Sequence, residues 1–505
     1  MIRLLLQIVS LLIFTACAEG AVEFTNIFAF PWGGDLGGQP QGKLVRDVEG
    51  NLYGTTGLGG KGKLGTVFKM TSTGKLIWLF SFTGKNGSSP GAGLFQDRFG
   101  FLYGTTTRGG RYDHGTVFKF SSTGRLIWSE SFDGSNGADP EAEFTASGDG
   151  DLYSTTAGGG AYGFGTVYKV DKFGRIRSIY SFSGNADGAQ PVAGLTMGND
   201  GYLYGTTMHG GLDSAIVDGV SALLGGNGTV FKITPGGRLT TIYSFGLVTN
   251  IYHLSLDGSY PAATLTEGKD HALYGTTLEG GDLDQGTVFK MKHDGSFDWQ
   301  FSFNGTNGSG PLGKLIEGLD GNLYGTTQLG GDRPFFGGYI YIGAGTIFRM
   351  TPNGVLTTLY SFGQETDALG DPLDGAFPQS GLTRGNGGDF YGVTMGGFVN
   401  PGQVFRLTVS KPIIAITKPG QHANQTIPGI DVLGKTKAKM NTPVADVLWR
   451  LNHGDWTEAV TTDSWTNWTA TVMLTPGVNV FQAYAIDATG DVSRTNTLKL
   501  NLQSH

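Results

Sequence analysis

The chain of 505 residues has a single cysteine, Cys17, so no disulfide braces it and stability must come from core and sheet. Charged residues are only 15% of the total, with a net charge of −7, and no basic run or stripe exists. That excludes the electrostatic footprint of a nucleic-acid-binding surface. No stretch of the body shows a 3.6-residue apolar period, which leaves little room for helix. No His-Glu-x-x-His pattern, Cys-based metal spacing, Gly-x-Ser-x-Gly elbow or Walker-type phosphate loop is present. Nothing in the chain announces a catalyst, so an enzyme is the less favoured class and no cofactor is expected.

Glycine, by contrast, is abundant at 87 residues, alongside 12% aromatics. The glycines recur at fixed places and so punctuate turns; they do not mark disorder. The line Leu-Tyr-Gly-Thr-Thr appears around Tyr53, Tyr103, Tyr153, Tyr204, Tyr274 and Tyr324, with Ser154 replacing one Gly, and as Phe390-Tyr391-Gly392-Val393-Thr394. A second line, Gly-Thr-Val-Phe-Lys, starts at Gly65, Gly115, Gly165, Gly228, Gly286, Gly345 and, loosely, Gly402. A period near 50 residues built from strand-like text is the mark of a repeat architecture.

Each unit divides into four expected strands. Strand A follows a proline, as in Pro90-Gly91-Ala92-Gly93-Leu94. Strand B is the Leu-Tyr-Gly-Thr-Thr line and strand C the Gly-Thr-Val-Phe-Lys line. Strand D is an alternating run such as Leu76 to Phe82. Proline and tyrosine are 13 residues apart in all seven units, so the A–B turn keeps its length. The C–D turn is equally constant. Only B–C and D–A connections vary, with long B–C inserts between Gly211 and Gly228 and between Gly331 and Gly345. In an up-and-down meander those two connections emerge on one face, and variable loops on a constant scaffold commonly carry function.

Seven such units predict an all-β seven-bladed β-propeller over residues 24–409. Its last unit lacks a strand D, while Phe24 to Phe30 reads as a spare one, so the N-terminal strand is expected to close the ring. From residue 412 to 503 the repeat gives way to short alternating strands with four tryptophans, Trp449, Trp456, Trp465 and Trp468. This text predicts an Ig-like β-sandwich. Those tryptophans suit core packing better than sugar stacking.

Arg3 followed by an apolar run to Phe14 and small residues reads as an export signal over residues 1–18, too short to span a membrane. Phe14-Thr15-Ala16-Cys17 also approximates a lipoprotein box, which would make residues 1–16 the signal and Cys17 the lipidated residue. Either route gives an exported protein, secreted, periplasmic or anchored at Cys17.

The ordered lines of the repeat resemble the GloVer (Gloeobacter–Verrucomicrobia) tandem-repeat family of exported bacterial proteins, over about residues 24–409. The resemblance brings no catalytic residues with it. The C-terminal text resembles bacterial Ig-like modules, which implies a spacer or adhesion unit.

Candidate ligand contacts are the aromatics and charges of the variable loops: Tyr252, His253, Asp332, Arg333, Phe335, Phe336, Tyr339 and Tyr341. They would offer a stacking surface to an extracellular glycan or a protein, although packing of loop on loop explains them as well. Acidic residues scattered over the same face, Asp133, Asp139, Glu141, Asp282, Asp284, Asp332, Asp367, Asp371 and Asp374, leave Ca²⁺ or a carboxylate pair as alternatives, with turn formation the plainer reading. Three functions follow: an exported binding protein, an extracellular polysaccharide-active hydrolase or lyase, or an architectural envelope protein.

Overall fold

The structure is a computed structural model that describes residues 22–31, 34–148, 150–212, 225–252, 254–332, 334–337, 340–367, 371–386, 388–396, 401–409, 413–421, 423–437, 444–461, 463–487, 493 and 495–503, with backbone alone for 334–337, 340–342, 413 and 487. Among these residues every regular element is a strand. They fall into two compact units, Phe24–Thr408 and a second that begins at Val409.

The first unit contains seven four-stranded sheets, one per sequence repeat. In the first, Val45–Arg46, Leu52–Thr56, Thr66–Met70 and Leu76–Ser81 pair in chain order as strands A to D. Five more repeat this order. In the seventh, Thr383–Arg384, Asp389–Thr394 and Gln403–Val409 are joined by the N-terminal strand Val22–Ala29, which takes the strand D place.

Strand A differs from expectation. The paired part is only two residues, Phe95–Gln96 in the second repeat, and the post-proline segment before it pairs with no strand. Crowding explains this: a Cβ on Gly42 would lie 2.3 Å from the Ala92 carbonyl oxygen of the next repeat. The post-proline segments are pressed against one another and not against strand B.

The repeat lines hold adjacent sheets together. The first threonine of Leu-Tyr-Gly-Thr-Thr donates to the next repeat's post-proline segment: Thr55 to Ala92 O at 3.1 Å, Thr105 to Pro140 O at 3.1 Å, Thr155 to Ala193 O at 2.7 Å and Thr326 to Ser380 O at 2.9 Å. The second threonine bonds the threonine of strand C within its own sheet, as Thr56 to Thr66 at 2.8 Å. The glycine between Tyr and Thr seats the strand C phenylalanine; a Cβ on Gly54 would meet Phe68 Cζ at 2.4 Å.

The apolar core lies between neighbouring sheets. Tyr53, Val67 and Phe82 of the first repeat pack with Leu94, Leu102 and Phe118 of the second. The seventh sheet meets the first in the same way, with Tyr391, Val393 and Val404 against Leu44, Leu52 and Phe68. Thr383 Oγ1 also donates to Leu44 O, and Gln39 N to Pro401 O at 2.5 Å. Each buried phenylalanine contributes about 2 kcal/mol, so these junctions are the main source of cohesion.

The second unit has two sheets. One orders Ile413–Lys418, Gly429–Lys437, Asn467–Met473 and Val460–Thr461; the other orders Ala423–Gln425, Asn496–Leu502, Gly477–Asp487, Val444–Leu451 and Thr457–Glu458. They share one core in which Trp468 and Phe481 stack with ring centres 6.4 Å apart. Trp449 and Trp465 pack against that core, while Trp456 remains exposed, with Arg450 4.5 Å over its ring.

Candidate functional site

All seven post-proline segments line one cavity of about 370 Å³. It is also lined by Gly57 and Thr107, the first residues beyond strand B, and by Ser89, the last residue before a proline. The cavity is therefore continuous with the ends of strand B from which the variable B–C loops depart.

A ring of side chains stands at the third position after each proline: Lys43, Gly93, Glu143, Gly194, Thr264, Lys314 and Gly381. Four of the seven are small or neutral, and the three charges stand out. Glu143 and Lys314, three repeats apart, form an ion pair at 3.5 Å. Burial pushes the Glu143 carboxyl up, but Lys43 and Lys314 together hold it below the ordinary carboxylate value. Burial pulls the Lys314 ammonium down, and the repulsion of Lys43 adds to that, so Glu143 offsets only part and the net direction is downward. The two directions agree physically, because one anion faces two cations.

The third repeat is tailored around Glu143. Where all six other repeats carry the glycine that follows the repeat tyrosine, it carries Ser154, whose hydroxyl donates to the Glu143 main-chain oxygen at 3.1 Å. Gly194 N donates to Thr264 Oγ1 at 2.9 Å, fixing the next stretch of the ring. Glu141 also lines the cavity, its side chain reaching solvent but surrounded by protein; the resulting loss of hydration and Asp139 raise its carboxyl above the usual value, against a weaker pull from Arg108. Arg108 and Asp139 pair at 3.5 Å nearby.

The residue before each proline adopts the left-handed region in all seven repeats, with φ of 52–58° at Gln39, Ser89, Asp139, Gln190, Tyr260 and Phe377, and 62° at Gly310. Each ties two repeats: Ser89 N donates to Leu64 O at 2.8 Å, and Thr107 N donates to Ser89 O at 3.2 Å. Only Gly310 relieves the steric cost, so backbone strain surrounds the cavity six times over.

The sequence-based contacts lie elsewhere. Tyr252 is 75% exposed on a D–A loop where its N–H donates to Asn250 Oδ1 at 2.8 Å. Asp332 is exposed beside a separate cavity with Asn304, Thr306 and Leu329. Phe335, Phe336 and Tyr341 lie in a two-stranded hairpin, Pro334–Gly337 with Ile340–Gly343, where a plain loop was expected. His253, Arg333, Tyr339 and Cys17 lie outside the described residues, as does the export signal. Among the described residues, no hydrogen bond joins Tyr252 to Asp332 and neither lines the central cavity.

Several of the acidic residues hold turns. Asp133 accepts from Asn136 N, Asp284 from Gly280 N, and Asp374 from Tyr360 Oη and Gly363 N. Among the described residues no group of three or more His, Cys, Asp or Glu is placed to hold a metal ion, and no helix is long and apolar enough to cross a membrane.

Sequence reading missed Lys43, Glu143 and Lys314. The available signal was the alignment of post-proline positions, where charge occurs at the third place in only three repeats.

No curated protein matches the chain. Among solved structures, the extracellular domain of a hybrid two-component system from B. thetaiotaomicron is similar over 95% of this chain and 57% of its own, at 12% identity and a TM-score of 0.47. A 6-phosphogluconolactonase, so described, from Bacteroides uniformis aligns over 70% of this chain and 87% of its own, at 18% identity and a TM-score of 0.42. A protein of unknown function from Bacteroides thetaiotaomicron aligns over 77% and 98%, at 14% identity and a TM-score of 0.35. Likenesses of this strength carry no inference about activity. The family comparison is decisive: the Gloeobacter/Verrucomicrobia repeat matches residues 12–217 and 219–433. The chain belongs to the Gloeobacter/Verrucomicrobia repeat family.

Proposed function

We propose that this is an exported, non-enzymatic binding protein: a seven-bladed β-propeller closed by its N-terminal strand and followed by an Ig-like spacer, which takes an extracellular ligand on its B–C and D–A loop face. The observation that carries the reading is the central cavity, to which every repeat contributes and which runs to the ends of the variable loops. Exposed apolar side chains in the same loops, among them Tyr112, Tyr162, Ile251 and Tyr252, extend the contact surface. Thermal melting against a panel of glycans and peptides, with Ca²⁺ and with EDTA, tests it. A ligand at about 100 times its dissociation constant stabilises by about 2.7 kcal/mol. A flat response across the panel favours the architectural reading.

One observation favours a second reading, a polysaccharide hydrolase or lyase. Glu141 and Glu143 line one cavity with carboxyls displaced in opposite directions, the pattern of an acid and a base. Against it, Glu143 is already engaged by Lys314. Release of reducing ends or unsaturated products from acidic oligosaccharides, lost in Glu141→Gln, would establish catalysis.

A further inference from the structure

Lys43 shares the field of Glu143 with Lys314, but only Lys314 is within ion-pair distance of that carboxylate. Lys43 is half-buried, and among the described residues no ion pair or hydrogen bond engages its ammonium. Glu143 is paired with Lys314. Among the described residues no ion pair joins Glu141 to Lys43, and the charges that act on Glu141 are those of Asp139 and Arg108. A cation in a cavity costs less when an anion enters. The ring of third positions carries two cations and one anion, an excess that suits a monoanion, and Glu143 in that ring opposes a dianion such as phosphate. Among the described residues no aromatic ring lines the cavity, so a neutral sugar finds no face there to stack on. Gln41 and Gln379, whose Nε2 groups donate to Met395 Sδ and Gln328 Oε1, offer their amide oxygens instead, and Thr264, whose oxygen accepts from Gly194 N, offers its hydroxyl proton.

We propose that the central cavity binds a small hydroxylated carboxylic acid of the uronate class, its carboxylate held by Lys43 with Lys314 as the second donor. The proposal rests on the binding-protein reading and names the ligand chemistry of its central site. Glu143 keeps Lys314 oriented toward the cavity, and Ser154 keeps Glu143 in place. The carboxylate would set two anions against two cations in the ring of third positions.

Isothermal titration of the full-length protein with galacturonate, glucuronate, glucose and inorganic phosphate tests this. A uronate should bind and glucose should not. Lys43→Met should weaken the uronate roughly ten- to a hundredfold, the worth of one charge-assisted hydrogen bond, while Lys43→Arg retains most of it. If Lys43→Met is poorly folded, Lys43→Gln gives the same comparison. Phosphate binding in place of uronate overturns the carboxylate assignment. A neutral glycan bound equally by Lys43→Met and the parent protein overturns the anion site yet leaves the binding-protein reading standing. No binding by any probe here or in the glycan and peptide panel overturns both.

Discussion

Glu143 of the third repeat and Lys314 of the sixth meet at 3.5 Å inside a cavity to which all seven repeats contribute. Residues 171 positions apart in the chain are thus a single electrostatic unit. Their side chains are 17% and 27% exposed, toward the cavity.

Removing one partner leaves the other charge half-desolvated. Glu143→Gln should destabilise the protein by about 2 kcal/mol, below the range for fully buried pairs because both side chains keep some exposure. The acid limb identifies the cause. Glu143 has its carboxyl held below the ordinary value in the fold, so its contribution is full above the unfolded value of about 4.3 and is lost as pH falls through the lower folded one. Melting temperature should therefore drop more steeply below about pH 4.3 in the parent than in Glu143→Gln. Parallel curves would show that Glu143 is not preferentially ionised by the fold.

The inter-sheet threonine bond should be measurable alone. Thr105→Val keeps the shape but strands the Pro140 carbonyl, buried in the parent bond. A loss of about 1–2 kcal/mol in chemical denaturation is expected. Val393 occupies the same place in the seventh repeat, so the variant should still fold.

Deleting residues 23–30 should be far more damaging. Phe24 stacks on Tyr360 at 4.3 Å and contacts Phe362 and Phe405, while the strand covers the edge of Gln403–Val409. Exposed strand edges pair with other chains. Light scattering should report aggregation at concentrations where the parent is monodisperse; a monomeric deletion variant with an unchanged melting temperature would refute closure by this strand.

Strain before the prolines offers a stabilising change. Ser89 holds φ of 54°, and its equivalent in the sixth repeat is Gly310. Ser89→Gly should raise stability by up to about 1 kcal/mol, relief of left-handed strain outweighing the extra unfolded-state entropy. A lower melting temperature would mean that the Ser89 side chain makes a compensating contact.

Much of the architecture was readable because the repeat lines recur in order. Thr55, Gly54 and Phe68 are each required by a neighbour at a fixed offset, so selection of the same contact in each repeat leaves the same letters. Strand A was overread, since Pro90 to Leu94 looks extended but is committed to packing with its neighbours and not to a ladder. The candidate site was the least legible part. Tyr252 and Asp332 stand out in the sequence as loop insertions, whereas Lys43, Glu143 and Lys314 are single departures from small residues in otherwise regular text.

The sequence by itself determined the repeat, its all-β character, the constancy of two turns and the variability of the other two. Those are local properties, written in periodicity, turn chemistry and spacing. Only the tertiary structure decided that Lys43, Glu143 and Lys314 share one cavity, and that six non-glycine residues carry left-handed strain around it. Charges scattered over 271 positions become neighbours when each repeat presents the same post-proline segment to a common centre, and no local pattern encodes that meeting.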